Sequence, residues 1–581
     1  MSTATDLRQD DLRWDLDSMI PGLDSPQYDE AVASLVARLD ALDAALEAGE
    51  GLSSLLDKYN EASREASFLG SYAYCNVTAD SSDARAQART SEFEPMGARL
   101  GKLGKRLAAR VGKLDLGTDF DALPTARDHE YGLLKMQVTA ERLMSPAEEA
   151  LASDMALTGS SAWTRLYRNV TSRLEGEVDG ERLPISTIRA LAYDSDRARR
   201  KAAYEAEMKT WPTVEIPLAA CMNSIKGETI LLVERRGWPS PLDTALFSAN
   251  IDATTLDAMM TAARESFPDF RRYLKAKAKR LGVDRLAFYD LFAPVGEESR
   301  VWTVEEAKSF VSMQFHTFSE RMGNLADRSY AERWTDWEPR PGKVDGAYCT
   351  SAGRDGSRVL MNFKPSFGSV STLAHELGHA YHNLCLGERT PLQRATPMTL
   401  AETASIFCET VIRQASLATM KGEEALGVLE ASLTGSCQVV VDITSRFLFE
   451  RDVFEKRKAR ELSPEELCDS MRDAQLATYG DGLDPDALHP YMWAAKPHYY
   501  GRAFYNFPYM FGLLFALGLY AVYQLEGESF VPRYDDLLSS TGLADAATLA
   551  DRFGIDIRTP DFWRASLDGI RDDIDRFESL V

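Results

Sequence analysis

Residues 23–75 read LDSPQYDEAVASLVARLDALDAALEAGEGLSSLLDKYNEASREASFLGSYAYC. Apolar residues recur there at three- and four-residue spacing, the period of a helix with one buried stripe. The same period returns at 83–113 and 145–165. Pro and Gly fall mostly between such stretches, where they end helices. No fixed-period repeat or low-complexity tract interrupts the pattern. A chain written this way folds as a mainly α protein. Its 581 residues suffice for two large lobes, and 45% hydrophobic content supplies their cores.

Two short stretches break the helical period. TSRLEGEVDGERLPIS (171–186) alternates around Asp179-Gly180, a hairpin signal. GAYCTSAGRDGSRVLMNF (346–363) has two short apolar runs about a Gly- and Ser-rich turn. It predicts a small β-sheet next to the segment that follows. The first hairpin suggests a division near residue 190, between a helical N-terminal lobe (1–190) and a catalytic region (191–581). The strand from Arg358 to Phe363 is either a free edge, able to pair with an extended peptide, or an internal strand.

The net charge is −23, which disfavours a nucleic-acid partner. Seven cysteines at wide spacing, with no CxxC pair, fit neither a disulfide framework nor a cysteine-type zinc site. A cytoplasmic location is the expectation, since the N-terminus carries no secretory pattern. FPYMFGLLFALGLYAVYQL (507–525) is nearly long enough to span a bilayer. It stands alone, starts beside a proline and lacks flanking basic clusters, so a buried core helix and no membrane association are expected.

HELGHAYH (375–382) holds three of only seven histidines. On a helix, His375 and His379 are one turn and about 6 Å apart on a shared face, close enough for both imidazoles to bind one zinc. Ser369 or Ser371 could cap this helix and Gly387 could end it. Glu376 borders the same face and suits a general base, the HExxH arrangement. His382 lies about 10.5 Å along the axis from His375 and reads as a support residue. A third ligand must come from elsewhere. Glu402 in TPMTLAETASIFCETV lies 23 residues after His379, and Glu409 lies two turns further on. Spacing favours Glu402 but leaves both eligible, and Thr399–Glu402 also matches a capping box. The glutamate that is not a ligand could hold a ligating imidazole by its other nitrogen. Gly378 inside the helix marks a close approach, with the Glu402 helix as the candidate neighbour.

HELGHAYH followed by AETASIFCE resembles the thimet oligopeptidase family of zinc peptidases, and within it the oligoendopeptidase F group. GAYCTSAGRDGSRVLMNF and KPHYYGRAFYNFPYMFGLLF (496–515) extend the resemblance in order over about 340–525. It implies two helical lobes around a deep substrate channel, one Zn²⁺ held by His375, His379 and Glu402, and oligopeptide substrates. It points to His498 and Tyr505 as catalytic groups and leaves Tyr500 and Tyr509 as substrate-binding candidates. The expected reaction is endopeptidase hydrolysis. Zinc lowers the pKa of a water toward 7 and Glu376 takes its proton, while neutral imidazole or phenol donates to the oxyanion. An exopeptidase would need a group that captures a chain terminus. A non-catalytic binding protein with a structural zinc would have no use for Glu376. The sequence leaves the oligomeric state open.

Overall fold

The computed structural model describes residues 12–117, 124–296 and 300–581. It is mainly helical, with two small sheets. The backbone divides into two compact units, each made of three separated stretches. The first takes in Met1–Glu141, Arg300–Ala418 and Val522–Phe553; the second takes in Arg142–Ser299, Thr419–Ala521 and Gly554–Val581. A single cut near residue 190 falls inside the second unit and separates neither, because long-range packing pairs stretches far apart in sequence.

In the first unit, helices Pro26–Ala48, Leu52–Ala79 and Ala84–Val111 pack on one another. Ser25 opens the first by accepting from the Tyr28 amide, Pro26 takes its first position, and Gly49 closes it at φ 68°. Leu35, Leu39 and Leu42 bury its periodic stripe in a core with Leu69, Tyr72 and Leu103. Proline is not confined to helix ends. Pro95 lies inside the third helix, and Pro268 lies inside Ala253–Arg280 of the second unit.

The sheet before the histidine helix has three strands, with Ser357–Leu360 in the middle. That strand pairs in parallel with Thr335–Asp336 and antiparallel with Tyr348–Ser351. All four of its residues are buried. The Arg358 guanidinium is used up on the Asp15 carbonyl, the Ser18 hydroxyl and its neighbour's carbonyl. This strand therefore has no free edge for a peptide; the half-buried Tyr348–Ser351 strand lies at the sheet's margin.

In the second unit, Glu175–Val178 and Glu181–Pro184 form the expected hairpin. Asp179 and Gly180 have φ of 52° and 83°, the paired positive values that a two-residue turn matching strand twist requires. Helix Ala253–Arg280 packs along Pro560–Leu580. Gly422–Cys437 runs through a π-turn at Gln438–Asp442 into Ile443–Arg457. Three helical stretches, Glu215–Arg235, Gly422–Arg457 and Phe507–Ser539, are long and apolar enough to cross a membrane by length and composition. In Phe507–Glu526 the run from Met510 to Leu519 is largely buried, and Phe511 meets Trp563 edge-on at 5.2 Å. All seven cysteines are free, and six of them are buried.

Candidate metal centre and the His498 cluster

The HELGH residues lie on a helix from Phe367 to Cys385. Its cap is Ser366, whose hydroxyl accepts from the Ser369 amide. Ser369 instead accepts from the Lys364 amide, so neither Ser369 nor Ser371 caps the helix. The helix stops at Cys385, two residues before Gly387.

Gly378 is where this helix meets the next. A Cβ there would stand 2.6 Å from the Ser405 Cα and 2.7 Å from the Ala404 carbonyl oxygen. Backbone touches backbone, and this carries Glu402 to the histidines. Glu402 is not the third residue of a helix begun at Thr399. It sits at the joint between a short turn, Met398–Ala401, and the helix Thr403–Thr419. Ser405 donates to its carboxylate at 2.7 Å and fixes its direction.

The ligating atoms of His375, His379 and Glu402 all lie within 4.8 Å of one another. Glu402 Oε2 is 3.3 Å from His375 Nε2 and 3.4 Å from His379 Nε2. Bonds of about 2.0–2.1 Å to a tetrahedral ion put neighbouring donors about 3.3 Å apart, so the three atoms fit one zinc-sized ion. Each of these side chains keeps about a quarter of its surface exposed, leaving an approach to the open position. Glu409 takes the other face of His375, with Oε2 3.3 Å from Nδ1. That contact turns Nε2 toward Glu402 and His379.

Electrostatics follow the geometry. Burial opposes a charged His375, but its hydrogen bonds to Glu402 and Glu409 outweigh this and carry its pKa up to about 10. Burial pushes the Glu402 carboxyl up, yet the two imidazoles overcome it and hold it far below the usual range. The cluster is a cage for a proton or, in its place, a cation. Glu376 differs. It is 5% exposed, its Oε2 has no hydrogen-bond partner, and burial raises its pKa against the pull of both histidines. A carboxylate oxygen left bare beside a metal site is placed to receive a proton. His382 is buried, bonds Thr541 Oγ1 through Nε2 at 3.0 Å, and is pushed down to about 4 by burial.

Within the second unit, His498, Tyr505 and Tyr509 form one cluster. The His498 and Tyr505 rings are 4.9 Å apart, and the Tyr509 hydroxyl donates to that of Tyr505 at 3.4 Å. Asn506 Oδ1 lies 2.7 Å from His498 Nδ1 and also accepts from Arg446, which Asp442 holds in turn. Arginine only donates, so that amide oxygen accepts from both, and neutral His498 keeps its proton on Nδ1. Its Nε2 is then an acceptor. A neutral His498 therefore has no N–H left for an oxyanion, contrary to the expectation above. Tyr505 retains a donor, since it accepts from Tyr509 and keeps its own O–H. Tyr500 does not belong to the cluster. It is 1% exposed and stacks on Tyr167 at 3.8 Å, so it is a packing residue and not a substrate contact. No sequence pattern marks Asn506, Arg446 and Asp442 as partners of His498. Asn506 lies in the quoted FYNFPYMF run, but nothing in its spacing links it to His498.

The model of Peptidase family M3 matches residues 190–569. The chain is 25% identical over 457 residues to oligopeptidase PepF of Bacillus subtilis, covering 77% of this chain and 68% of that one. It is 22% identical over 550 residues to an oligoendopeptidase F homolog of Lactococcus lactis, covering 92% and 91%. A solved structure from Chlamydophila abortus matches the fold with TM-score 0.85 at 19% identity, over 99% of both chains. Oligoendopeptidase F from Enterococcus faecium matches with TM-score 0.70 at 18% identity, over 95% and 98%.

Proposed function

This chain belongs to peptidase family M3, and from that membership we propose a zinc-dependent endopeptidase that cuts short, unstructured oligopeptides. The observation that carries the reading is the convergence of His375, His379 and Glu402 at tetrahedral spacing beside the bare carboxylate oxygen of Glu376. Two imidazoles and one carboxylate suit zinc among the common ions. When bound, that ion supplies Lewis-acid activation of water and of the scissile carbonyl.

The chain's own residues do the rest. His375, held by Glu409, and His379 would ligate through Nε2, and Glu402 through Oε2. Glu376 takes the proton of the attacking water on Oε2 and passes it to the leaving amine. Its raised pKa suits a group that must hold that proton between the two steps. Tyr505 is assigned the donor to the developing oxyanion, because its O–H remains available. His498 accepts a substrate N–H on Nε2. Tyr509 supports Tyr505. A cytoplasmic location belongs to the same proposal and is supported by the seven free cysteines.

Quenched fluorescent peptides of graded length test the reading. Glu376→Gln is expected to lower kcat by about 10²–10⁴ with the metal retained by elemental analysis. Full turnover in that variant would refute the mechanism, and cleavage of a folded protein would refute the restriction to short peptides.

A further inference from the structure

The second unit contains a cavity of about 320 Å³, inside the range of small-ligand sites. One wall is aromatic, with Tyr193, Tyr204, Phe288 and Phe292. The rest carries charge in a pattern that lacks one partner. Glu207 and His489, both buried, hydrogen-bond each other. Asp442 is held by Arg446, and Arg200 reaches Asp290 at 3.0 Å. Two cations in the wall remain. The Arg189 Nη1 is buried with no hydrogen-bond partner, and its Nε comes only to 3.8 Å from Glu207. Lys496 makes no side-chain hydrogen bond or ion pair among the described residues.

Such a pair is unexpected in a protein of net charge −23, where carboxylates outnumber cations and could readily have been placed alongside. Burial, then the nearby Arg446, pull the Lys496 pKa down to about 8, against the weaker opposing pull of Asp442 and Glu207, neither of which makes an ion pair with it. The π-turn at Gln438–Asp442 brings Gln438 and Asp442 into the same wall, and π-turns concentrate where helices are bent to serve a site. Lys496 is also two residues before His498, on the segment assigned to substrate. A terminal carboxylate is the one anion that every unmodified oligopeptide carries.

We propose that this cavity binds the C-terminal carboxylate of the peptide substrate, with Lys496 and Arg189 on the carboxylate oxygens and the aromatic wall against the last side chain. The proposal rests on the peptidase reading and adds a determinant of which peptides are taken. It gives the chain a group that captures a terminus, which the sequence alone did not offer.

The test is calorimetric binding of one hexapeptide ending in Phe, as free acid and as C-terminal amide, to metal-loaded Glu376→Gln protein, which leaves the peptide intact. The acid is expected to bind about tenfold tighter or more, the worth of a charge-assisted hydrogen bond. Adding Lys496→Met should bring the two within about twofold, and Lys496→Arg should restore the preference. Equal binding of acid and amide, or an undiminished preference in Lys496→Met, overturns the proposal. N-acetyl-phenylalanine, but not its amide, should displace the peptide acid. If N-acetyl-phenylalanine binds in a carboxylate-dependent way and the peptide does not, the ligand is a free acid and the assignment to a chain end fails. Turnover of the peptides by wild-type protein is read separately, so loss of the peptidase reading and loss of this one are distinguishable.

Discussion

The metal centre and the His498 cluster hold functional side chains by opposite means. His375 and His379 stand on a regular helix, and Glu402 is brought to them by a backbone contact at Gly378. Position is set there by helix geometry and one missing side chain. His498 lies in a short 3₁₀ turn, and Tyr505 follows Phe504, whose φ is +50°. No regular element positions that segment, and a buried polar chain from Asp442 through Arg446 to Asn506 holds the imidazole instead. The first site should therefore break at its ligands or its packing, and the second at its hydrogen bonds.

Loss of a ligand has the largest expected effect. Glu402→Ala removes one of three donors and leaves two imidazoles, so stoichiometric zinc should be lost on dialysis, with turnover falling to background. Retention of zinc in Glu402→Ala and its loss in Glu409→Ala would exchange the two roles assigned here.

Gly378→Ala comes next. The added methyl would meet backbone atoms at 2.6–2.7 Å, and backbone cannot swing aside as a side chain can. Helix separation must grow, at a cost of about 1–3 kcal/mol or more. Thermal melting should fall by several degrees, and zinc affinity should fall with it, since Glu402 immediately precedes the helix pushed away. A variant that melts lower but binds zinc normally would separate packing from ligand placement.

These two sites also differ in how much of them the sequence discloses. HELGH announces its own geometry, because a helix turns spacing directly into direction. Gly378 was readable for the same reason: a glycine within a periodic helix asks for a neighbour. Glu402 against Glu409 was not decided by spacing, since two turns of helix return to nearly the same face; packing at Gly378 separates them. The Ser366-Phe-Gly-Ser-Val-Ser371 run offers three equivalent capping hydroxyls, so the pattern alone does not separate Ser366, the actual cap, from Ser369 and Ser371 three and five residues on. Tyr500 and Tyr505 share one Tyr-rich run in the sequence, yet Tyr500 stacks on Tyr167 in the core while Tyr505 is half-buried beside His498. The middle position of Ser357–Leu360 depends on a parallel pairing with Thr335–Asp336, a contact no local pattern encodes. The two interleaved units were hidden for the same reason.

A smaller effect is expected at Glu409, which holds His375 through Nδ1 and lies outside the His375–His379–Glu402 set. Glu409→Gln keeps a partner for Nδ1 but removes the charge that strengthens the imidazole as a donor. Zinc affinity should weaken by about 10–100-fold, measured by competition with a chelator. Unchanged affinity would mean that the HELGH helix alone aims His375.

The smallest effect is expected at Asn506, where nothing is lost but orientation. Asn506→Ala removes the acceptor from His498 Nδ1 and leaves zinc untouched, so metal content should match wild type while kcat falls by about tenfold. The pH profile carries the sharper sign. Burial holds the His498 pKa below its ordinary value, and the Asn506 hydrogen bond partly offsets this by favouring the protonated ring. The neutral ring is the form with an acceptor at Nε2, so activity that depends on it is present above the pKa and lost as pH falls through it. Removing Asn506 lowers that pKa further, and the acid limb of the kcat profile should move to lower pH even as its height drops. A limb that stays in place, or moves to higher pH, would mean that His498 acts as an imidazolium donor and that the polar chain behind it serves packing alone.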